Sequence, residues 1–274
     1  AYQYYNSSIK KFTRLNEVFS ESWFSDSQIS FFNSVARKRG SEFNIIEHNG
    51  PTIYFEETTL KYSLRICDNL FTQGWSPLVR SLGYNNIVQS SSFHMGFKQS
   101  ANNIACVRDD NITFFTAPAY KRRALCSDMY FFQGEGSSKF IEKQIDFISS
   151  VKASVRRKII YRTAPISTEK NFLIDSCVNE MRDLGVKIDD LSIRNGVDVL
   201  KKTSLAIYDY VSTGIFEAYL SDTPTIVIAD RGTIRFSEQY KSIIDELYEA
   251  NLFFDSVIDA SNLLNNEHFT PSEW

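Results

Sequence analysis

Residues 204–228 read Ser204-Leu205-Ala206-Ile207-Tyr208-Asp209-Tyr210-Val211-Ser212-Thr213-Gly214-Ile215-Phe216-Glu217-Ala218-Tyr219-Leu220-Ser221-Asp222-Thr223-Pro224-Thr225-Ile226-Val227-Ile228. Two short apolar runs, Ser204 to Tyr208 and Thr225 to Ile228, have the length and continuity of strands buried on both faces. Between them Ser212, Thr213 and Gly214 stand where a helix should begin. Hydroxyl side chains are good N-caps, and glycine lets another molecule come close to the backbone. A helix N-terminus at the carboxyl end of a parallel strand is an anion site, because its free N–H groups and its dipole point outward. Glu217 follows Gly214 by three residues and lies one turn into the helix. There its carboxylate can accept hydrogen bonds from ribose or sugar hydroxyls. An ordinary capped helix explains the same residues, with Glu217 completing a capping box.

Working outward, the pattern repeats. The sequence predicts strands at Ile112 to Thr116, Lys158 to Tyr161 and Lys187 to Leu191. It predicts helices at Ser137 to Val151, Lys170 to Leu184 (closed by Gly185), Gly196 to Lys201 and Ser237 to Ala250. Strands alternating with helices imply an α/β fold with a parallel sheet covered by helices on both faces. Ligands of such sheets bind at the carboxyl ends of the strands. Nearer the N-terminus, helical spacing runs over residues 5–19. A second helix starts at Ser25-Asp26-Ser27 and ends at Gly40. Strands are expected at Phe43 to Ile46 and Asn69 to Thr72, with a helix from Glu56 to Cys67 between them. Residues 76–110 are less regular and are expected to hold the domain hinge. Two domains follow, residues 1–100 and 101–274. The chain opens in mid-pattern with Ala1-Tyr2-Gln3-Tyr4-Tyr5 rather than with methionine, so the N-terminal domain is expected to be truncated.

Composition narrows the function classes. A length of 274 residues suits two modest domains, and 43% hydrophobic residues suffice for their cores. A net charge of −3 gives no electrostatic case for a nucleic-acid partner. The basic clusters Lys121-Arg122-Arg123 and Arg156-Arg157-Lys158 read as solvated faces. Cys67, Cys106, Cys126 and Cys177 follow no metal-ligand spacing and read as reduced thiols of a cytoplasmic protein. No signal peptide and no long apolar run is present. Asp209 and Asp230 form no Asp-x-Asp pair, and no His, Cys and carboxylate cluster has metal spacing, so no metal is expected. Neither Gly-x-Gly-x-x-Gly nor a Gly-Lys-Ser/Thr loop occurs, which disfavours dehydrogenases and P-loop enzymes.

Two further positions suggest chemistry. Arg162 follows the strand ending at Tyr161, where a guanidinium can grip a phosphate in bidentate fashion; a surface Arg paired with a carboxylate explains it equally well. His48 ends a buried strand ahead of Asn49-Gly50, a place from which it can reach a donor phosphate or a leaving group across an inter-domain cleft. A carboxylate can also serve as a base or a nucleophile. Asp26 is the catalytic carboxylate candidate, although it also suits an N-cap, and Glu47 is weaker still.

The segment from Asp209 to Ile226 resembles the donor-binding segment of GT-B glycosyltransferases, in which a Ser/Thr-Gly turn faces the donor phosphates. A Glu-Ala-Leu-like helix then leads to a strand that begins at a Pro. The similarity covers roughly residues 22–75 and 111–255 and is nearest to bacterial surface-carbohydrate transferases that use CMP-activated Kdo, sialic acid and related nonulosonates. The turn at His48 resembles the His-Gly-Gly-type turn of those enzymes, with Asn49 in place of a glycine, and such enzymes often place a basic residue where Arg162 stands. The resemblance implies two Rossmann-like domains whose parallel sheets face a cleft. It also implies a metal-independent transferase with no cofactor beyond its nucleotide-sugar donor, a CMP-linked one. Ser212, Thr213, Gly214, Glu217 and Arg162 would bind that donor, while His48 and Asp26 would be catalytic. The acceptor would be a glycan or glycolipid of capsule or lipopolysaccharide, handled in the cytoplasm or at the inner face of the membrane by peripheral association. The alternatives are an epimerase-type GT-B enzyme that binds UDP, and a non-catalytic GT-B-like scaffold of a glycan assembly complex.

Overall fold

The computed structural model describes residues 17–21, 34–35, 37–46, 66–72, 85–89, 108–116, 135–163, 172–189, 196–232, 234, 236, 238 and 241–271. The chain divides into two units, residues 1–96 with 124–128, and residues 97–123 with 129–274.

In the first unit, β1 (Glu17–Glu21), β2 (Glu42–Ile46), β3 (Asn69–Thr72) and β4 (Ile87–Gln89) form a sheet in that order. All three pairings are parallel. The expected strands at 43–46 and 69–72 are present. The helix expected over residues 5–19 is not continued to its end, because residues 17–19 belong to β1, with Val18 opposite Phe43 and Phe19 opposite Asn44. A neighbouring strand satisfies these backbone groups, and tertiary pairing of this kind overrides a local helical period. β4 likewise lies where no regular element was expected. The Asp68 carboxylate accepts from the Phe43 N–H at 2.7 Å and pairs with Arg37 at 3.3 Å, which ties the start of β2 to the approach to β3.

The second unit is built on six strands. These are β5 (Ile112–Thr116), β6 (Ile159–Thr163), β7 (Lys187–Ile188), β8 (Leu205–Tyr208), β9 (Thr225–Ile228) and β10 (Phe253–Phe254), with spatial order β10-β9-β8-β5-β6-β7. Every pairing is parallel. The helices are α1 (Glu135–Ser150), α2 (Ala153–Arg156), α3 (Phe172–Asp183), α4 (Gly196–Leu200), α5 (Thr213–Leu220), α6 (Lys241–Glu249) and α7 (Val257–Asn265). The sequence reading placed most of these within two or three residues but missed β10, α2 and α7.

Side chains of successive strand residues point to opposite faces, and here the two faces differ. Phe114 stands opposite Tyr161 on one side and Ile207 on the other. This row packs with Phe147 and Ile148 of α1, Cys177 and Met181 of α3, and Ala260 and Leu264 of α7 in one buried cluster. Fully burying a side chain of this size stabilises by roughly 1.5–3 kcal/mol. Gly185 closes α3 as expected. Its φ of +83° suits the left-handed turn in which its N–H bonds to the Arg182 carbonyl and that of Val186 to Met181. Among the described residues, no helix is long and apolar enough to cross a membrane.

Candidate functional site

Numbered in chain order, the six-stranded sheet runs 3-2-1-4-5-6, and the order reverses between β5 and β8. In doubly wound sheets of this order the ligand sits outside the carboxyl ends at that reversal. The segment that leaves β8 there is Asp209-Tyr210-Val211-Ser212, followed at once by α5. The stretch singled out in the sequence therefore stands at the place where ligands of such sheets bind.

Ser212 is the N-cap of α5, with extended backbone (φ −141°, ψ 167°), but its side chain makes no capping bond. Its hydroxyl oxygen is shielded from solvent and has no hydrogen-bond partner among the described residues. A buried hydroxyl without a partner is costly and rare. Nor does a capping box form. The third helical position is Ile215, whose N–H bonds to the Ser212 carbonyl at 3.2 Å. Thr213 and Gly214 are the first two helical residues, so their N–H groups are among those that a helix leaves unpaired. Glu217 is half-buried, and its Oε2 lies 3.5 Å from where a Cβ on Gly196 would stand, so the carboxylate faces the start of α4.

Gly214 has a structural reason to be glycine that sequence alone did not show. A Cβ there would meet Tyr208 Cε1 at 2.8 Å and the Tyr208 hydroxyl at 3.1 Å. That hydroxyl donates to the Gly214 carbonyl at 2.8 Å. The Tyr208 ring is 2% exposed and stacks on Phe115, with centroids 4.9 Å apart and planes 10° from parallel. Burial first, and then the Glu217 charge, push the Tyr208 phenol well above its usual range, so it stays a neutral donor.

Arg162 differs from expectation. It lies within β6 rather than after it, directly opposite Phe115, which is itself opposite Tyr208. Arg162, Phe115 and Tyr208 thus form one row, on the face of the sheet that carries α4 and α5. Arg162 is 7% exposed, and its guanidinium pairs with Asp189 just beyond β7. The ion-pair alternative is therefore realised, with a buried rather than a surface guanidinium. A phosphate contact would have to share the guanidinium with Asp189.

The structure brings Ser212, Thr213, Gly214 and Glu217 together on one turn and helix, with Arg162 joined to them through Phe115 and Tyr208. His48 and Asp26 lie outside the described residues, as does Glu47.

A second polar group was not legible in the sequence. Asp209 Oδ2 accepts from Gln144 Nε2 at 2.6 Å, and Gln144 Oε1 accepts from the Tyr161 hydroxyl at 2.6 Å. The Cys177 thiol is 3.3 Å from that hydroxyl and 3.7 Å from Gln144 Oε1. Burial pushes both the Tyr161 phenol and the Cys177 thiol upward, so both are neutral. At the ends of β9 and β10, Arg231 bonds to Asp255 through its backbone N–H and its Nε, each at 3.0 Å. It also pairs with Asp245 at 3.3 Å and lies 3.9 Å above the Tyr248 ring. These contacts tie the two strand-end loops to α6.

Solved structures share this fold. S. aureus MnaA, solved with UDP, superposes with a TM-score of 0.55 at 14% identity, covering 96% of this chain and 69% of that one. A Listeria monocytogenes protein described as a UDP-N-acetylglucosamine 2-epimerase gives 0.51 at 15% identity, covering 97% and 68%. The wall teichoic acid polymerase TagF gives 0.40 at 12% identity, covering 86% and 61%. The fold is α/β and GT-B-like, with parallel sheets. A comparison with curated proteins found no match. The family of LIC12162 family transferases matches residues 2–274, nearly the whole sequence, and the chain belongs to that family.

Proposed function

We propose that the protein is a metal-independent glycosyltransferase that takes a sugar, Kdo or another nonulosonate, from a CMP-linked donor and extends a bacterial surface glycan. The observation that carries this reading is the Ser212 hydroxyl at the N-cap of α5, which has no partner among the described residues and stands at the strand-order reversal. A phosphate seated there would receive the hydroxyl and the N–H groups of Thr213 and Gly214, with the helix dipole aligned toward it. The same groups would stabilise the charge that grows on departing CMP. Thr213 and Gly214 supply backbone donors, Glu217 takes ribose or sugar hydroxyls, and Arg162 adds positive charge from the adjacent strand row. His48 assists the leaving CMP, and Asp26 takes the proton of the acceptor hydroxyl. The acceptor is a glycan or glycolipid of capsule or lipopolysaccharide, reached from the cytoplasm or by peripheral contact with the membrane.

A second reading is an enzyme of UDP-sugars of the epimerase type. It is supported by the UDP bound to S. aureus MnaA and by the name of the Listeria neighbour.

Calorimetry with CMP, UDP, GDP and ADP separates the two. The expected result is binding of CMP, weakened about tenfold or more by Ser212→Ala, since a hydrogen bond to a charged group contributes roughly 1.5–3 kcal/mol. Preference for UDP selects the second reading. Failure to bind any of the four refutes both and leaves the non-catalytic scaffold.

A further inference from the structure

Asp209 has no counterpart among the residues that the sequence singled out for donor binding, yet its surroundings are built. It is the first residue beyond β8, at the strand-order reversal and three residues before Ser212. It is half-buried, so part of it faces solvent. Behind it stands Gln144, 3% exposed in the middle of α1. The Gln144 amide turns its Nε2 toward Asp209, and its Oε1 accepts from the Tyr161 hydroxyl, at 2.6 Å on each side. Cys177, at 3.3 Å from the Tyr161 hydroxyl, closes the chain.

Gln144 and Tyr161 sit among apolar side chains of α1, β6 and α3. Burying an amide and a phenol there is tolerated only because each is paired. Their combined effect is to hold one carboxylate in one orientation at the rim. A carboxylate at a strand's carboxyl end can accept from the vicinal hydroxyls of a ribose; in dinucleotide-binding sheets that acid lies about 20 residues beyond the phosphate loop, whereas Asp209 lies three residues before Ser212 at the end of the same strand. Glu217, whose carboxylate faces Gly196 and the start of α4, is then left for the hydroxyls of the sugar.

We infer that Asp209 is a specificity-determining residue of the donor site, accepting hydrogen bonds from the vicinal ribose hydroxyls of the nucleotide. Gln144 is its positioning residue and Tyr161 holds the amide of Gln144. The inference rests on the donor-site reading around Ser212.

The test compares CMP with 2′,3′-dideoxy-CMP by calorimetry, or UDP with its dideoxy analogue should the nucleotide panel favour UDP. The wild type should bind the dideoxy analogue about tenfold to a hundredfold more weakly, the range for hydrogen bonds to a charged group. Asp209→Asn keeps the shape and removes the charge, and should shrink that ratio to a few-fold. Gln144→Met, which removes one of the bonds that orient the carboxylate, should shrink it in part. A merely structural role would weaken both ligands equally and leave the ratio intact. An unchanged ratio in Asp209→Asn, in a protein whose nucleotide binding still depends on Ser212, overturns the inference while the donor site stands. Loss of the Ser212 dependence itself overturns the donor site and the inference together.

Discussion

Gly214→Ala is the substitution on which local and tertiary reasoning disagree in sign. Gly214 is the second residue of α5 and has no left-handed backbone. Helix propensity therefore predicts that alanine stabilises by up to about 1 kcal/mol. The tertiary structure predicts the opposite. The new Cβ would sit 2.8 Å from Tyr208 Cε1, so reaching an ordinary contact of 3.4 Å requires a shift of about 0.6 Å (3.4 − 2.8). The ring cannot give way cheaply, being 2% exposed and stacked on Phe115. Overpacking of a tight site costs roughly 1–3 kcal/mol. Losing the Tyr208–Gly214 hydrogen bond adds about 1 kcal/mol. After the propensity gain, Gly214→Ala should destabilise by about 1–3 kcal/mol in urea unfolding. It should also weaken nucleotide binding, because the first turn of α5 moves. In a Tyr208→Leu background the same substitution should cost at least about 1 kcal/mol less, since the clashing ring is gone. A Gly214→Ala protein as stable as the wild type, with no coupling to position 208, would refute this account of the turn.

Two further outcomes follow from ionisable groups away from that turn. The Arg231 guanidinium holds the Asp255 carboxyl below its usual range. A folded-state value below the unfolded one means that its contribution is present above about pH 4 and lost as pH falls through the lower, folded value. The urea midpoint of Asp255→Asn should therefore lie below that of the wild type from pH 5 to 8, and the gap should close below about pH 4. A gap that widens on acidification would contradict the pairing. Burial pushes the Cys67 thiol up to about 11 and raises Cys177 as well. Neither should react with iodoacetamide at pH 8 in the folded protein, and both should react after denaturation, as read by mass spectrometry. Rapid native-state labelling of either would show that it is not buried.

Much of the second unit's secondary structure was legible because its signals are local. The apolar runs at 205–208 and 225–228, the small-residue turn at 212–214 and Gly185 after a helical period each act within a few residues. Errors of one or two residues at element ends mattered only once, at Arg162, where two more strand residues turn a rim side chain into a buried one. β1 was lost because its five residues lie against a helical period that precedes them, and only pairing with β2 decides between the two. Residues 47–50 and 22–30 fall outside the described parts of the chain, so His48 and Asp26 stand as they did from sequence.

The sequence by itself determined the alternation of strand and helix, and with it a parallel α/β architecture whose ligands sit at strand carboxyl ends. It also marked Ser212, Thr213, Gly214 and Glu217 as one turn of helix. Tertiary structure alone decided the strand order that puts this turn at the reversal, and the partners of each polar group. Arg162 meets Asp189 across 27 residues, and Gln144 meets Asp209 across 65. Hydrogen bonds and buried charges depend on distances of a few ångströms between such remote positions, and local spacing carries no information about them. That is why Ser212 emerges as a buried hydroxyl without a described partner, and Arg162 as a buried cation already engaged.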